Sequence, residues 1–292
     1  MIYTIANDCL IVDVSSVGAE LQSVRSVSGQ EYLWQGNPGI WSGRAPNLFP
    51  FVARLHDGVY TLDGIQYEMK IHGFVKSMEL TCIEHEENLM VFELLANDET
   101  LEQYPRLFRF LVKYELKGNK LEISYIVDNL DSKMMYFGLG GHPGFNIPID
   151  PENRFEDYSV VFSEPSEPKR VIFSDRIFVD HCEDYPLVNG TTLPLRHDLF
   201  DLDAIVLTEV PHSLRLESKN GETSISVEFP GMNYVGFWHK PKTEAPYICV
   251  EPWVSLPGDE YKPTVFEEKE DLIRLEPGKT YINTWSVSVE AK

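Results

Sequence analysis

Apolar side chains recur at every second position in several separate stretches, and this period of two is the feature that most constrains the fold. In residues 121–127, 225–229 and 285–289, the apolar positions share one parity. Because successive side chains of a strand point to opposite faces, each stretch is typical of a half-buried β-strand.

Turn-forming residues separate the strand-like stretches at short intervals. Asp63-Gly64 lies between two β-rich runs and predicts a type I′ hairpin in which Leu62 pairs with Ile65. Helical spacing is confined to three short candidates, residues 98–103, 197–201 and 265–273. Many short strands, with no repeat and no low-complexity linker, favour one all-β domain over residues 1–292. We expect a large antiparallel β-sandwich with a few short helices.

The charge balance narrows the range of partners. The chain carries 46 acidic and 25 basic residues, a formal net charge of −21, and the acidic residues are dispersed. A strongly negative surface repels phosphate backbones and anionic lipids. We therefore expect no nucleic-acid partner and no membrane-surface role.

The termini and cysteines bear on the compartment. The first ten residues lack the basic and apolar segments of a signal peptide, and no apolar stretch approaches the roughly 18 residues of a membrane span. The four cysteines are far apart in sequence, with no CxxC pair, so neither a disulfide framework nor a zinc knuckle is predicted. These features predict a cytoplasmic protein.

Residues 138–146, GLGGHPGFN, form the first segment that could carry a functional site. Its four glycines allow a close backbone approach that larger residues would block. His142 precedes Pro143, which restricts the histidine to extended backbone angles and so orients its ring. The alternative is an irregular turn with an exposed histidine.

Residues 247–253, YICVEPW, form the second segment. Strand alternation places residues 247, 249, 251 and 253 on one face, so that aromatic rings flank Glu251. A partly desolvated carboxylate has a raised pKa and is a better base near neutrality, and the rings offer flat surfaces on which a sugar can stack. Pro252 lacks an N–H and predicts a frayed or edge strand, where Glu251 would instead be an ordinary exposed carboxylate. Trp238 is expected to pair with this strand across a hairpin, where it could wall a pocket or fill the core, and a core position is expected.

The third segment runs from Asn47 through Arg54 to His72. If the register of the Asp63-Gly64 hairpin continues, Arg54 faces Gly73, next to His72. A bulge at residues 56–58 would break that register. A cation beside a histidine favours the neutral ring and supplies donors for hydroxyl or carboxylate oxygens. A surface arginine and a histidine at a strand end are the simpler alternative.

These segments together resemble a known family. The chain is similar to the aldose 1-epimerase (galactose mutarotase) family, and most of all to its LacX-like branch. Four motifs carry the resemblance and occur in the family's order: Asn47-Leu48-Phe49-Pro50 leading to Arg54-Leu55, His72-Gly73-Phe74, Gly141-His142-Pro143-Gly144-Phe145-Asn146 and Cys249-Val250-Glu251-Pro252-Trp253. Galactose-specific members carry Asn-Arg where this chain has Ala53-Arg54, and a glycine in place of Phe74, so the departures concern the substrate more than the reaction.

The resemblance implies the galactose mutarotase-like supersandwich, with an open cleft for a hexopyranose. It assigns Glu251 as general base and His142 as general acid. The resemblance also implies that Arg54 and His72 hold sugar oxygens, and it matches Asp203 loosely to an acidic sugar-binding position. Trp253, beside Glu251 in its motif, is a further candidate for sugar binding.

The implied reaction is the interconversion of the two anomers of a free hexose. One group removes the proton of the C1 hydroxyl, a second gives a proton to the ring oxygen, and reclosure after rotation about C1–C2 yields the other anomer. A carboxylate and an imidazole are sufficient, so we expect neither a cofactor nor a metal.

Three alternatives remain open at this stage. The cleft could hold sugar without turnover. His72, His142 and Glu251 could form a cupin-like metal site of two histidines and one carboxylate. The family also includes hexose-6-phosphate epimerases, for which Arg44, Arg54 and Lys76 are candidate phosphate ligands.

Overall fold

The computed structural model describes residues 1–291, so that Lys292, the end of the predicted domain, lies outside the described residues. The strands in chain order are β1 (Ile2–Ala6), β2 (Leu10–Ser15), β3 (Leu21–Ser26), β4 (Asn47–Leu48), β5 (Val59–Leu62), β6 (Ile65–Glu68), β7 (Thr81–His85), β8 (Leu89–Leu95), β9 (Phe108–Lys117), β10 (Lys120–Asn129), β11 (Met135–Phe137), β12 (Gly140–Gly141), β13 (Gly144–Asn146), β14 (Tyr158–Phe162), β15 (Lys169–Phe173), β16 (Val179–Asp184), β17 (Thr192–Pro194), β18 (Ile205–Thr208), β19 (Ser213–Ser218), β20 (Thr223–Glu228), β21 (Tyr234–Trp238), β22 (Tyr247–Trp253), β23 (Thr264–Val265), β24 (Ile273–Leu275) and β25 (Thr280–Ala291). The helical segments are α1 (Asp98–Gln103) and the short 3₁₀ turns His56–Gly58, Val75–Ser77, Phe155–Asp157 and His197–Phe200.

Two large antiparallel sheets dominate the structure. One has nine strands in the order β17-β14-β19-β20-β25-β10-β9-β8-β7, and the other has the order β16-β15-β18-β21-β22-β12-β4, with β13 also paired to β22. A main core joins the two sheets, since buried residues of β10 and of β22 belong to the same apolar cluster. The predicted all-β class, a large antiparallel β-sandwich with a few short helices, is confirmed.

The period of two has its expected structural consequence. In β10 the burial of side chains alternates strictly along the strand, and Leu121, Ile123, Tyr125 and Val127 are fully buried. Trp285 of β25 faces the same core and contacts the opposite sheet, where a Cβ on Gly141 would lie 2.6 Å from its ring. Alternation therefore directs one face of each long strand into the space between the sheets.

The local predictions have mixed outcomes. The Asp63-Gly64 turn has positive φ at both residues, and Leu62 pairs with Ile65 as predicted. Residues 98–103 form α1, and residues 197–200 form a 3₁₀ turn. The helix predicted over residues 265–273 is wrong. Its single helical turn, with the Lys269 N–H donating to the Val265 carbonyl, gives way to β24, whose pairing with β11 requires extended backbone.

Within residues 1–291, every helix is too short or too polar to cross a membrane.

Candidate active site

The site is organised around the register of β22. β12 and β13 both pair with this strand in one register, in which Gly144 lies opposite Cys249. The same register carried through the intervening residues places His142 opposite Glu251. The two side chains meet, with His142 Nε2 3.2 Å from Glu251 Oε2. Backbone pairing alone thus brings an imidazole and a carboxylate into contact.

The position of Pro252 explains why this register tolerates a proline. Val250 donates its N–H to the Pro143 carbonyl, and Val254 donates to the Leu139 carbonyl. Pro252 lies between these two bonds, on the side where β12 ends and β13 begins. The prediction of an edge or frayed strand is wrong, because β22 lies inside the sheet between β21 and these two short strands. A missing N–H does little harm at a gap between partners.

A cleft of about 310 Å³ opens above the pair. The six residues singled out in the sequence line it together, and their roles stay predictions. The residues are Arg54, His72, His142, Asp203, Glu251 and Trp253. Eleven further residues complete the lining, and of these only Lys76 was a candidate ligand in the sequence: Trp41, Pro46, Ala53, Ile71, Lys76, Phe173, Ile177, Ala204, Trp238, Pro241 and Pro257.

Glu251 is almost completely withdrawn from water, with 2% of its surface exposed. Burial raises its pKa well above the usual carboxyl range, and the negative charge of Asp203 raises it further. The alternative of an exposed edge-strand carboxylate is therefore wrong. A carboxyl group in this setting holds its proton more readily than one in water.

The His142 ring is enclosed by tryptophans. Trp41 stacks on it at a centroid distance of 5.2 Å, and Trp238 contacts it edge-on at 5.8 Å. Burial lowers the pKa of His142, and the nearby Lys76 charge acts in the same direction. The exposed-histidine alternative is excluded, since only 11% of the side chain is accessible. His142 and Glu251 are thus both shifted toward their neutral forms, which favours a pair that shares a single proton.

His72 is held in one tautomer by the backbone. The Ala53 N–H donates to His72 Nδ1 at 3.1 Å, and the His72 N–H donates back to the Ala53 carbonyl at 2.8 Å. A neutral ring that accepts at Nδ1 carries its proton on Nε2, so His72 is a hydrogen-bond donor. Burial lowers its pKa well below the usual range, as do the charges of His142, Lys76 and Arg54.

The predicted pairing of Arg54 with Gly73 is wrong. The hairpin register holds as far as Gly58, whose carbonyl accepts from the Met69 N–H at 2.7 Å. The 3₁₀ turn at residues 56–58 then shifts it, because Asp57 adopts a left-handed conformation with φ of +48°. As a result His72 lies opposite Ala53, and Gly73 forms its backbone bridge with Phe49 and not with Arg54.

Four residues that line the cleft have left-handed backbone conformations that are uncommon outside glycine. They are Ala53 (φ +59°), His72 (φ +66°), Ile177 (φ +62°) and Asp203 (φ +87°). Such strain persists where the surrounding structure imposes it, and it concentrates at functional sites. It marks the rim of this cleft as a constrained region.

Asp203 and Arg54 approach the cleft from two loops. Asp203 is half-buried and precedes β18, and one of its carboxylate oxygens accepts the Ala204 N–H at 2.9 Å. Arg54 donates to the Arg176 carbonyl at 3.3 Å. Asp203, matched loosely to a sugar-binding position in the sequence, therefore lines the cleft, and its charge raises the pKa of Glu251.

Trp238, expected in the core, is a half-buried wall of the cleft. It pairs with Cys249 across the predicted hairpin, which is confirmed. Trp41 had no sequence signal, because it belongs to none of the conspicuous segments. Lys76 appeared in sequence only within a loose basic group, of which Arg44 does not line the cleft.

The residues that could hold a metal ion differ from the cupin-like set considered in the sequence. Among the described residues, His142, Cys249 and Glu251 have candidate ligand atoms that all lie within 4.8 Å of one another. His72 does not belong to this group. The cupin-like set of two histidines and one carboxylate is therefore replaced by one histidine, one thiol and one carboxylate.

Comparison with known proteins identifies the family of the chain. The family described as Aldose 1-epimerase matches residues 1–284. The chain belongs to the aldose 1-epimerase family. Among its relatives, the chromosomal Protein LacX of Lactococcus lactis subsp. lactis is 31% identical over 300 residues, covering 99% of each chain. The isomerase class and the LacX-like resemblance predicted from the motifs are confirmed.

Solved structures of the family have the same fold. A galactose mutarotase related enzyme from Lactobacillus acidophilus is 32% identical, with a TM-score of 0.93 over 100% of this chain and 98% of its own. A galactose mutarotase-like protein from Lactobacillus casei is 30% identical, with a TM-score of 0.92 over 99% of this chain and 100% of its own. The similarity therefore extends over the whole sandwich.

Replacing Gly73 with alanine tests how tightly the His72 loop is constrained. A Cβ at this position would lie 2.2 Å from the Phe49 carbonyl oxygen, at a φ of +71°. We expect Gly73→Ala to reduce the free energy of unfolding by about 3 kcal/mol or more, because backbone must move. The measurement is denaturant unfolding.

Gly64→Ala is the matched control, since Gly64 has a similar φ of +74° but no atom within 4 Å of the added carbon. It should cost only about 1–2 kcal/mol, the left-handed backbone penalty. Equal destabilisation by the two variants would contradict the steric argument.

Proposed function

We propose that this protein is an aldose 1-epimerase that interconverts the α and β anomers of a free hexose by acid–base ring opening and closure. The observation that carries the proposal is the contact between His142 and Glu251, 3.2 Å apart in a largely buried site. Two proton-transfer groups lie at the spacing that allows them to serve adjacent oxygens of one pyranose ring. Membership of the aldose 1-epimerase family supports the same reaction class.

The walls of the cleft suit a hexopyranose. The indole of Trp238 offers an apolar surface for sugar C–H groups, and Trp253 contributes a second ring to the lining. His72, with its proton on Nε2, and the Arg54 guanidinium donate to sugar hydroxyls, while the Asp203 carboxylate accepts from them. In this arrangement donors and acceptors are supplied by different loops, which fixes the orientation of the ring.

The chemical step uses one proton on the pair. Starting from Glu251 carboxylate and His142 imidazolium, Glu251 takes the proton of the C1 hydroxyl as the bond between C1 and the ring oxygen breaks. His142 gives its proton to the ring oxygen, and C1 becomes an aldehyde. Rotation about C1–C2 followed by the reverse transfers closes the ring as the other anomer and restores both groups.

Burial favours one state of this cycle, and the attraction between opposite charges favours the other. After ring opening, Glu251 is protonated and His142 is neutral, the form that desolvation favours for both side chains. Before ring opening the two charges face each other and stabilise one another. The pair therefore carries one proton in both states, on His142 while the ring is closed and on Glu251 while it is open. The C1 hydroxyl of the sugar supplies one proton and the ring oxygen gains one, so that the total is unchanged.

Substitution of the pair tests the assignment directly. Glu251→Gln removes the proton acceptor with little change in shape, and His142→Asn removes the proton donor. Each should lower kcat by about 10²–10⁴-fold. The measurement is polarimetry of a freshly dissolved α-hexose, with thermal melting to verify the fold.

Glu244→Gln and His181→Asn, at exposed positions outside the cleft, are matched controls that should retain the full rate. A folded Glu251→Gln protein with the rate of the unsubstituted enzyme would refute the proposal. The same assay separates the enzyme from a sugar-binding protein of the same fold, because a pure binder leaves anomerisation at its rate in buffer.

The pH dependence follows from the shared proton. At low pH the pair gains a second proton and becomes a buried cation, which burial and the Lys76 charge oppose by lowering the pKa of His142. At high pH it loses its last proton and becomes a buried anion, which burial and Asp203 oppose by raising the pKa of Glu251. We expect a bell-shaped profile of kcat/KM with its plateau across neutral pH.

Two variants should move the limbs of this profile in opposite directions. Lys76→Met removes a positive charge and shifts the low-pH limb upward, while Asp203→Asn removes a negative charge and shifts the high-pH limb downward. Lys219→Met, on the exposed end of the β19–β20 turn, is the control that should leave both limbs in place. Limbs that stay fixed in both cleft variants would show that these charges do not act on the pair.

A hexose 6-phosphate is a second candidate substrate, favoured by one observation. Lys76 is half-buried in the lining of the cleft, no acidic side chain among residues 1–291 pairs with it, and Arg54 lines the same opening. Burial and the nearby Lys70 lower the pKa of Lys76, so an anionic group would stabilise its charged form.

The two substrates are separable by kinetics. If the phosphate is the natural group, Lys76→Met should lower kcat/KM for the hexose 6-phosphate by about tenfold, the worth of one charge-assisted hydrogen bond, and leave that for the free hexose nearly unchanged. Equal effects on both substrates would favour the free hexose. Polarimetry of each sugar in parallel provides the measurement.

A further inference from the structure

A buried thiol lies next to the acid–base pair and has no role in the proposed reaction. Cys249 precedes Glu251 by two positions on β22, so both side chains project from the same face of the strand. It is fully buried against Trp34, Ala245 and Tyr247. Its sulfur, the His142 ring nitrogen and a Glu251 oxygen all lie within 4.8 Å of one another.

We propose that these three side chains form a binding site for a soft divalent cation of the Zn²⁺ type, and that occupancy of this site blocks the acid–base pair. An imidazole, a thiolate and a carboxylate are the donor types that Zn²⁺ takes in proteins, and three protein ligands with one open position is a common arrangement. The fourth position would face the cleft, which His142 and Glu251 line.

The geometry is close to that of an occupied site. A triangle whose edges do not exceed 4.8 Å has a centre no more than about 2.8 Å from each corner, and zinc bonds are about 2.0–2.3 Å long. The imidazole–carboxylate edge, at 3.2 Å, already approaches the roughly 3.4 Å edge of a zinc tetrahedron. Inward movements of about half an ångström would complete the contacts.

The charge of the complex suits a buried location. One divalent cation with one thiolate and one carboxylate has no net charge, so no uncompensated charge remains in the interior. On binding, the Cys249 thiol and the pair each release a proton to solvent as three coordinate bonds form. The acidic chain, with a net charge of −21, attracts cations to its clefts.

The donor set also predicts which cations bind. Mg²⁺ and Ca²⁺ prefer shells of oxygen ligands, and this site offers oxygen only from Glu251. Zn²⁺, Cd²⁺ and Co²⁺ accept nitrogen and sulfur ligands. Because the metal would hold the same atoms that transfer protons, binding and anomerisation exclude each other.

The primary test is spectroscopic and independent of activity. Co²⁺ titrated into the protein should produce one equivalent of a thiolate-to-cobalt charge-transfer band, and Zn²⁺ should abolish it. The variant Cys9→Ala/Cys82→Ala/Cys182→Ala removes every other thiol and should keep the band, whereas Cys249→Ala should lose it. Cys249→Ser, closer in size, replaces Cys249→Ala if that variant melts too early to be titrated.

The second test measures inhibition. With a dissociation constant of about 10 µM, modest for a structural zinc site, roughly 100 µM Zn²⁺ should slow anomerisation about tenfold. Chelator should restore the rate, and the same concentration of Mg²⁺ should have no effect. In Cys249→Ala, Zn²⁺ should slow the reaction much less, relative to the rate of that variant without metal.

Each outcome has one reading. Absence of the cobalt band, or a band that persists in Cys249→Ala, overturns the metal site and leaves the proposed epimerase activity intact. A cobalt band in a protein that does not accelerate anomerisation supports the site and counts against the proposed function. Binding without inhibition shows that the metal lies away from the pair and overturns the proposed mode of blocking.

Discussion

The cross-strand pairing of β12 and β13 with β22 is the constraint on which the site depends. One register sets Gly144 against Cys249 and thereby sets His142 against Glu251. A slip of one residue would turn Glu251 away from the cleft, because side chains alternate faces along a strand. Glycines around the histidine make the pairing possible, since Gly140 and Gly141 lie against Trp253 and Trp285 with no room for a Cβ.

Desolvation then gives the pair its chemical character. Burial shifts the imidazole and the carboxyl toward their neutral forms. The charge of Asp203 further raises the pKa of Glu251, and the charge of Lys76 further lowers the pKa of His142. The same enclosure brings Cys249 within reach of both groups. The proposed acid–base pair and the proposed soft-cation site therefore share two side chains, His142 and Glu251.

The sequence predicted the long strands and singled out six residues that line one cleft, because strand alternation and motifs are short-range patterns. Alternation in residues 121–127 identified β10, and the Asp63-Gly64 pair identified the hairpin of β5 and β6. Prediction from the sequence failed where the outcome depended on which strands pair with a residue in the folded sheet. Pro252 read as an edge signal but lies at a gap between two partner strands, and the left-handed conformation of Asp57 moved the register away from Arg54.

By itself the sequence determined the all-β class, the family and the identity of His142, His72, Arg54, Asp203, Glu251 and Trp253 as residues of interest, since composition, periodicity and motif order are local properties. The tertiary structure alone decided that these side chains share one cleft, that Trp41, Lys76 and Trp238 join them, and that Cys249 lies beside the pair. The reason is physical. Proximity between strands distant in sequence, and the burial that follows from it, arise only when the sheets pair and close upon their core.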